Sequence, residues 1–144
     1  MAAIVLARRG ATVTACDLSA GYVSEAQKRA LANEAVIQFA VADCHEMPFS
    51  DSSFDLIWGH AILHHLDVAT AANEIRRILA PGGTAVFGEP WAGNPVVNLL
   101  RHWRRHTADE RELDGCDIQV LRNNFAKVNV RTYQWNRYAV IRVS

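Results

Sequence analysis

The stretch VADCHEMPFSDSSFDLIWGHAILHHL, Val41 to Leu66, contains two apolar runs that each stop abruptly. Phe39 to Ala42 ends at Asp43, and Phe54 to Trp58 ends at Gly59. Short apolar runs bounded by turn residues read as buried strands, and open α/β sheets bind ligands outside the carboxyl ends of their strands. Asp43 and the polar residues beyond Gly59 therefore stand where such a sheet would meet a ligand.

Upstream, Ala11 to Cys16, ATVTAC, alternates β-branched and small residues as a strand does and ends at Asp17. Ser19 can cap a helix running to Ala32, with Val23, Ala26 and Ala30 spaced to face a core and Lys28 and Arg29 facing water. A strand over Val36 to Ala42 follows, and Met47 to Ser53 reads as a turn. The chain opens inside a helix, Ala2 to Arg9, which Gly10 stops in the left-handed conformation. Downstream, Asp67 is positioned to cap a helix over Val68 to Leu79. Its apolar residues Val68, Ala72, Ile75 and Leu79 recur at helical spacing, while Glu74, Arg76 and Arg77 lie off that stripe. Ala80-Pro81-Gly82-Gly83 ends it, and the strand Thr84 to Phe87 leads to another polar residue, Glu89. This alternation predicts an α/β fold, a parallel sheet with helices on both faces.

The last third has a different texture. Pro95 to His106 reads as a helix with Arg101, Arg104 and Arg105 on its polar side, and the charged run Thr107 to Gly115 as a loop. A short helix, Asp117 to Phe125, precedes Val128 to Trp135 and Tyr138 to Val143, which the brief connection through Asn136 and Arg137 would pair as an antiparallel hairpin. Length and composition fit a single globular domain over residues 1–144, with 50% hydrophobic and 21% charged residues. Fifteen basic residues balance 15 acidic ones, which argues against a nucleic-acid partner. No apolar run reaches bilayer length. Cys16, Cys44 and Cys116 form no CxxC pair, so reduced thiols, a cytoplasmic setting and no metal are expected.

Three blocks, ATVTACDLS, VADCHEMPFSDSSFDLIWGHAILHHL and EIRRILAPGG, occur together in this order. In that combination the chain resembles the class I S-adenosylmethionine-dependent methyltransferases, specifically the small-molecule subgroup of ubiquinone-biosynthesis-like enzymes. The resemblance covers Val13 to about Glu89. It implies a Rossmann-like sheet of order 3-2-1-4-5-7-6, S-adenosylmethionine as cofactor, and a small-molecule or lipid-linked methyl acceptor.

It also implies roles for particular residues. Asp17 would accept hydrogen bonds from the ribose hydroxyls, since a carboxylate's two oxygens suit a vicinal diol. Leu18 would pack on the adenine and Asp43 would take its amino group, with backbone contacts from Cys44 and His45. His60 would face the methyl group, and His60, His64 or His65 could act as base on the acceptor. Each has a plainer reading. Asp17 and Asp43 are also turn and capping residues, and Asp51-Ser52-Ser53 is a turn. Neighbouring residues on a helix diverge, so at most one of His64 and His65 faces a pocket.

The chain departs from this family in one respect. The resemblance places a first strand and a GxGxG loop ahead of the opening helix, and none of the eight glycines forms a GxG. That strand belongs between ATVTAC and FDLIW, so two inner sheet edges are expected to lack ladder partners. Each buried backbone group left unpaired costs about 1–3 kcal/mol. An amino-terminally truncated domain of doubtful catalytic competence is therefore expected. The other readings are a non-catalytic remnant or binding module acting through the arginine-rich helix, and an NAD-dependent dehydrogenase. The DxxxxPFxxxSFD pattern and the PGG have no role in the dehydrogenase.

Overall fold

In the computed structural model, which describes residues 2–91, 113–133 and 138–144, the chain forms two compact units, Met1–Pro48 and Phe49–Ser144. The first contains helix α1 (Ala2–Arg8), strand β1 (Thr14–Asp17), helix α2 (Ala20–Ala32) and strand β2 (Gln38–Val41). Gly10 stops α1 with φ of 89°, a value only glycine adopts freely, and its N–H donates to the Ala7 carbonyl. Ser19 caps α2 by accepting from the Tyr22 N–H at 3.4 Å, as its position predicts. β1 and β2 pair in parallel, Thr14 with Gln38 through Asp17 with Val41. Both strands are shorter than their apolar runs. The backbone joins the ladder only where it has a partner, so Ala11 to Val13 stay outside β1, although the Val13 carbonyl still accepts from Gln38.

The second unit is a mixed four-stranded sheet with order β3-β4-β6-β5. Its strands are β3 (Phe54–His60), β4 (Leu79–Pro90), β5 (Val128–Tyr133) and β6 (Tyr138–Val143). β3 and β4 are parallel, and β4–β6 and β6–β5 are antiparallel, which includes the expected hairpin. Within each sheet the neighbours follow the order that the resemblance implies. Among the described residues β1 pairs only with β2 and β3 only with β4.

The core of this unit follows from strand alternation. Ala85, Phe87 and Glu89 on β4 stand opposite Val143, Ile141 and Ala139 on β6, and all six are buried. Helix α3 (Val68–Ile78) and helix α4 (Gly115–Asn124) contribute Val68, Ala71, Ala72, Ile75, Ile78, Ile118 and Leu121 to the same core. Asp67 caps α3 where the sequence places it, whereas α4 starts at Gly115, two residues before the expected Asp117. Asp67 accepts from the Thr70 N–H at 2.9 Å, and Asp114 and Asp117 form a reciprocal capping box on α4.

Two expectations are corrected here. Ala80-Pro81-Gly82-Gly83 ends α3 but lies inside β4: Phe54 pairs with Leu79 and Leu56 with Thr84, so these four residues loop out of the ladder as an extended bulge. β3 runs two residues past Trp58, making His60 the last residue of the strand and not a residue beyond it. Gly59 is tolerated there because the site has no room for a side chain. A Cβ would collide with the Phe87 ring and come within 2.9 Å of the Ile62 Cγ2. The helix read over Pro95 to His106, with Arg101, Arg104 and Arg105, and the Asn136–Arg137 connection lie outside the described residues.

Candidate functional site

The expected cofactor residues of the first unit gather at the carboxyl ends of β1 and β2. Asp17 closes β1, and its backbone carbonyl accepts from the Ala42 N–H at 3.1 Å, which ties the two strand ends together. One carboxylate oxygen, Oδ1, accepts from the Ser19 N–H at 2.8 Å, and the second has no partner among the described residues. Asp43 follows β2 with the same arrangement: Oδ1 accepts from the His45 N–H at 2.8 Å and lies 2.7 Å from His45 Nδ1. The backbone N–H first, then the imidazole, holds the Asp43 carboxyl below its ordinary range. The plainer reading, a turn-forming carboxylate, is therefore correct for one oxygen of each Asp. The other oxygen of each remains open to a ligand. Leu18, beside Asp17, is 71% exposed, so an apolar surface adjoins an exposed acceptor.

The thiols in this unit are poor nucleophiles. Desolvation, then the neighbouring Cys16, Asp43 and Asp17, pushes Cys44 up to about 11. Cys16 is raised too, first by desolvation and then by Asp17. Both shifts favour the protonated thiol over the thiolate.

In the second unit the imidazoles separate sharply. After β3 the chain turns at Ala61, whose φ of 52° puts a non-glycine residue in the left-handed region, with its N–H donating to the Gly88 carbonyl at 2.8 Å. The following 3₁₀ turn, Leu63–His65, folds back onto the end of β4. Its amino end is capped by a side chain distant in sequence. Glu89 Oε1 accepts from the Ile62 and Leu63 N–H groups at 3.0 and 3.1 Å, and Oε2 lies 2.8 Å from His64 Nδ1. Glu89 is fully buried and His64 is 8% exposed. Burying a carboxylate is costly unless hydrogen bonds compensate it, and here two backbone N–H groups donate to Oε1 while the His64 ring nitrogen faces Oε2.

His64 Nε2, by contrast, has no protein partner among the described residues, and no buried side-chain nitrogen or oxygen there is left unsatisfied. That nitrogen therefore keeps some solvent contact although the residue is buried. His65 is exposed although its ring lies only 4.0 Å from that of His64, so in this 3₁₀ turn the two neighbours differ in burial without diverging as the helical reading expects. His60 is also exposed, its ring 5.5 Å from Tyr138, whose hydroxyl donates to the Gly88 carbonyl. Burial first, then the Glu89 charge, raises the Tyr138 phenol.

Sequence reading singles out Glu89 only as a polar strand end. The signal that identifies its role is its parity with Ala85 and Phe87, which puts a carboxylate on a face that should be apolar. Arg77 also does more than its place off the helical stripe implies. It donates to Glu74, Asp51 and the Phe49 carbonyl, and so fixes the turn that leads into β3.

Comparison with known proteins bears on the family and the fold. Residues 1–87 match the family model described as a methyltransferase domain. The chain is 32% identical over 96 residues to a malonyl-[acyl-carrier protein] O-methyltransferase of Enterobacter lignolyticus, covering 66% of this chain and 36% of that one. It is 35% identical over 97 residues to a demethylmenaquinone methyltransferase of Clavibacter sepedonicus, covering 67% and 38%. The chain thus spans about a third of the length of the curated relatives it matches. A crystal structure of a Pyrococcus horikoshii protein superposes with a TM-score of 0.77 at 16% identity, over 97% of this chain and 76% of that one, a likeness of fold.

Proposed function

Because the chain belongs to the methyltransferase-domain family, we propose that it takes part in methyl transfer from S-adenosylmethionine to a small-molecule or lipid-linked acceptor, with His64 as the proton acceptor. The observation that carries the catalytic part is the His64 ring, held at Nδ1 by a buried carboxylate and open at Nε2.

The residues of the first unit fit the adenosine half of the cofactor. The free oxygen of Asp17 is available to the ribose hydroxyls, that of Asp43 to the adenine amino group, and Leu18 offers an apolar face to the ring. Cys44 and His45 would contribute backbone contacts. When bound, the cofactor supplies a methyl group already activated for displacement by its sulfonium. The chain's part is then alignment and proton removal. His64 Nε2 would take the acceptor's proton as the methyl carbon exchanges its bond to the sulfonium sulfur, which leaves as a neutral thioether, for a bond to the acceptor. His60 and His65, both exposed and without a carboxylate partner among the described residues, fit that role less well.

Calorimetric titration of the chain with S-adenosylmethionine tests the first half. Binding should weaken at least about tenfold in Asp17→Ala, the scale of one lost charge-assisted hydrogen bond. No heat with the unsubstituted chain at high micromolar cofactor would reject cofactor binding by this chain. For the second half, labelled S-adenosylmethionine is supplied with a malonyl thioester or a demethylmenaquinone analogue. His64→Ala should lower turnover about 10²–10⁴-fold, the usual range for a general base. Unchanged turnover would remove His64 from the reaction.

A further inference from the structure

We infer that Glu89 is a positioning residue that fixes the tautomer of His64, placing the ring proton on Nδ1 and leaving the Nε2 lone pair free. The functional weight of this inference rests on the reading of His64 as proton acceptor, although the tautomer itself can be measured without cofactor or acceptor.

A neutral imidazole carries its proton on either nitrogen, and in solution the two forms exchange. Only the form with a bare Nε2 can take a proton at the open side of His64. The Glu89 carboxylate decides between them because it can only accept. Oε1 already receives the Ile62 and Leu63 N–H groups, which holds the carboxylate in place, and Oε2 faces Nδ1 at 2.8 Å. The opposite tautomer would set a bare Nδ1 against a carboxylate oxygen, two lone pairs facing each other in a buried site with no water-accessible alternative for Oε2. Such an arrangement forfeits a charge-assisted hydrogen bond and leaves a buried acceptor unsatisfied.

The groups facing the pair are few. The His65 ring lies 4.0 Å from the His64 ring at a tilt of 41°, and Tyr138 lies near enough for the Glu89 charge to raise its phenol. Neither forms a hydrogen bond to Nε2 among the described residues. Strand parity explains why a carboxylate can be held so firmly. Glu89 is paired with Ala139 on the buried face of β4, and the left-handed Ala61 turn brings the 62–64 backbone onto it.

The test is a long-range proton–nitrogen correlation spectrum of the ¹⁵N-labelled chain and of Glu89→Gln. In the unsubstituted chain His64 Nδ1 should resonate as an N–H nitrogen and Nε2 as a bare acceptor. The amide that replaces the carboxylate in Glu89→Gln retains an oxygen for the Ile62 and Leu63 N–H groups but presents an N–H to Nδ1, so the two signals should exchange ranges. Unshifted Ile62 and Leu63 amides would show that the turn is intact. Nε2 carrying the proton in the unsubstituted chain, or an unchanged tautomer in Glu89→Gln, overturns the inference. If Glu89→Gln fails to fold, Glu89→Asp draws the carboxylate back from Nδ1. A mixture of tautomers then supports the inference, and a pure Nδ1–H form rejects it. A failed tautomer test leaves methyl transfer standing, and a failed methylation assay leaves the tautomer result untouched.

Discussion

The two units place carboxylates at the same kind of position, the carboxyl end of a parallel strand, and use them in opposite ways. Asp17 and Asp43 in the first unit are exposed, each with one oxygen holding its own turn and the other free. Glu89 in the second is buried, and both its oxygens are engaged. The difference follows from what surrounds each strand end. The described core of the first unit is small, Val23, Ala30, Ala42 and Met47, whereas β4 and β6 lie under two helices with a continuous apolar face. A carboxylate at the rim of a thin unit stays hydrated and available to a ligand. One set into a packed face must satisfy all its acceptors within the protein, and so becomes a means of orienting a neighbour.

This contrast is most easily broken by stability measurements. Ile141→Ala, at a fully buried position facing Phe87, should cost about 2–5 kcal/mol through lost transfer energy and the cavity left behind. Leu31→Ala, at a helix position 81% exposed, should stay within about 0.5 kcal/mol. Urea unfolding followed by circular dichroism measures both, and equal losses would erase the distinction between a thick and a thin core.

The helix caps test the same contrast on a smaller scale. Asp67 caps α3 with a 2.9 Å bond, whereas Ser19 caps α2 at 3.4 Å, near the limit of a real hydrogen bond. Asp67→Ala should therefore cost about 1 kcal/mol and Ser19→Ala about half that. A larger loss at Ser19 in the same urea experiment would mean that the first unit is held more tightly than its sparse core implies.

The smallest effect concerns acid. The folded state depresses Asp43, so the stabilisation from its turn is fully present above the ordinary value of 3.8 and is lost as pH falls through the lower folded value. Carboxyl carbon shifts followed by NMR should give an Asp43 midpoint below 3.8 in the intact chain and the ordinary midpoint in unfolded chain. His45→Ala should recover only part of the difference, because the His45 backbone N–H contributes more than the ring. Full recovery would reverse that order.

Much of the local structure is legible in the sequence because it is set by near neighbours. Gly10 stops a helix, Ser19 and Asp67 start helices, and Ser52 occupies the left-handed turn position with φ of 55° where Asp51-Ser52-Ser53 reads as a turn. These depend on steric and hydrogen-bonding preferences within four residues. The β5–β6 hairpin is legible from its brief connection, whereas the order of the other strand neighbours is legible only through the family resemblance. The bulge at Ala80–Gly83 is not legible, since proline and glycine signal a break in a helix and carry no information about a later register shift in β4.

The candidate site divides the same way. Strand-end position alone marks Asp17 and Asp43, whereas His64 and His65, their rings 4.0 Å apart, are told apart only by burial. That His64 is the inward one, and that a carboxylate 25 residues further along the chain holds its Nδ1, depends on β4 running alongside β3 and on Ala61 turning the chain back. Residue order is enough to mark the carboxylates and imidazoles at strand ends and the caps that start and stop several helices. Which oxygen stays free and which nitrogen stays open is settled by the fold. That choice depends on burial and on partners brought together across the sheet, which no local pattern encodes.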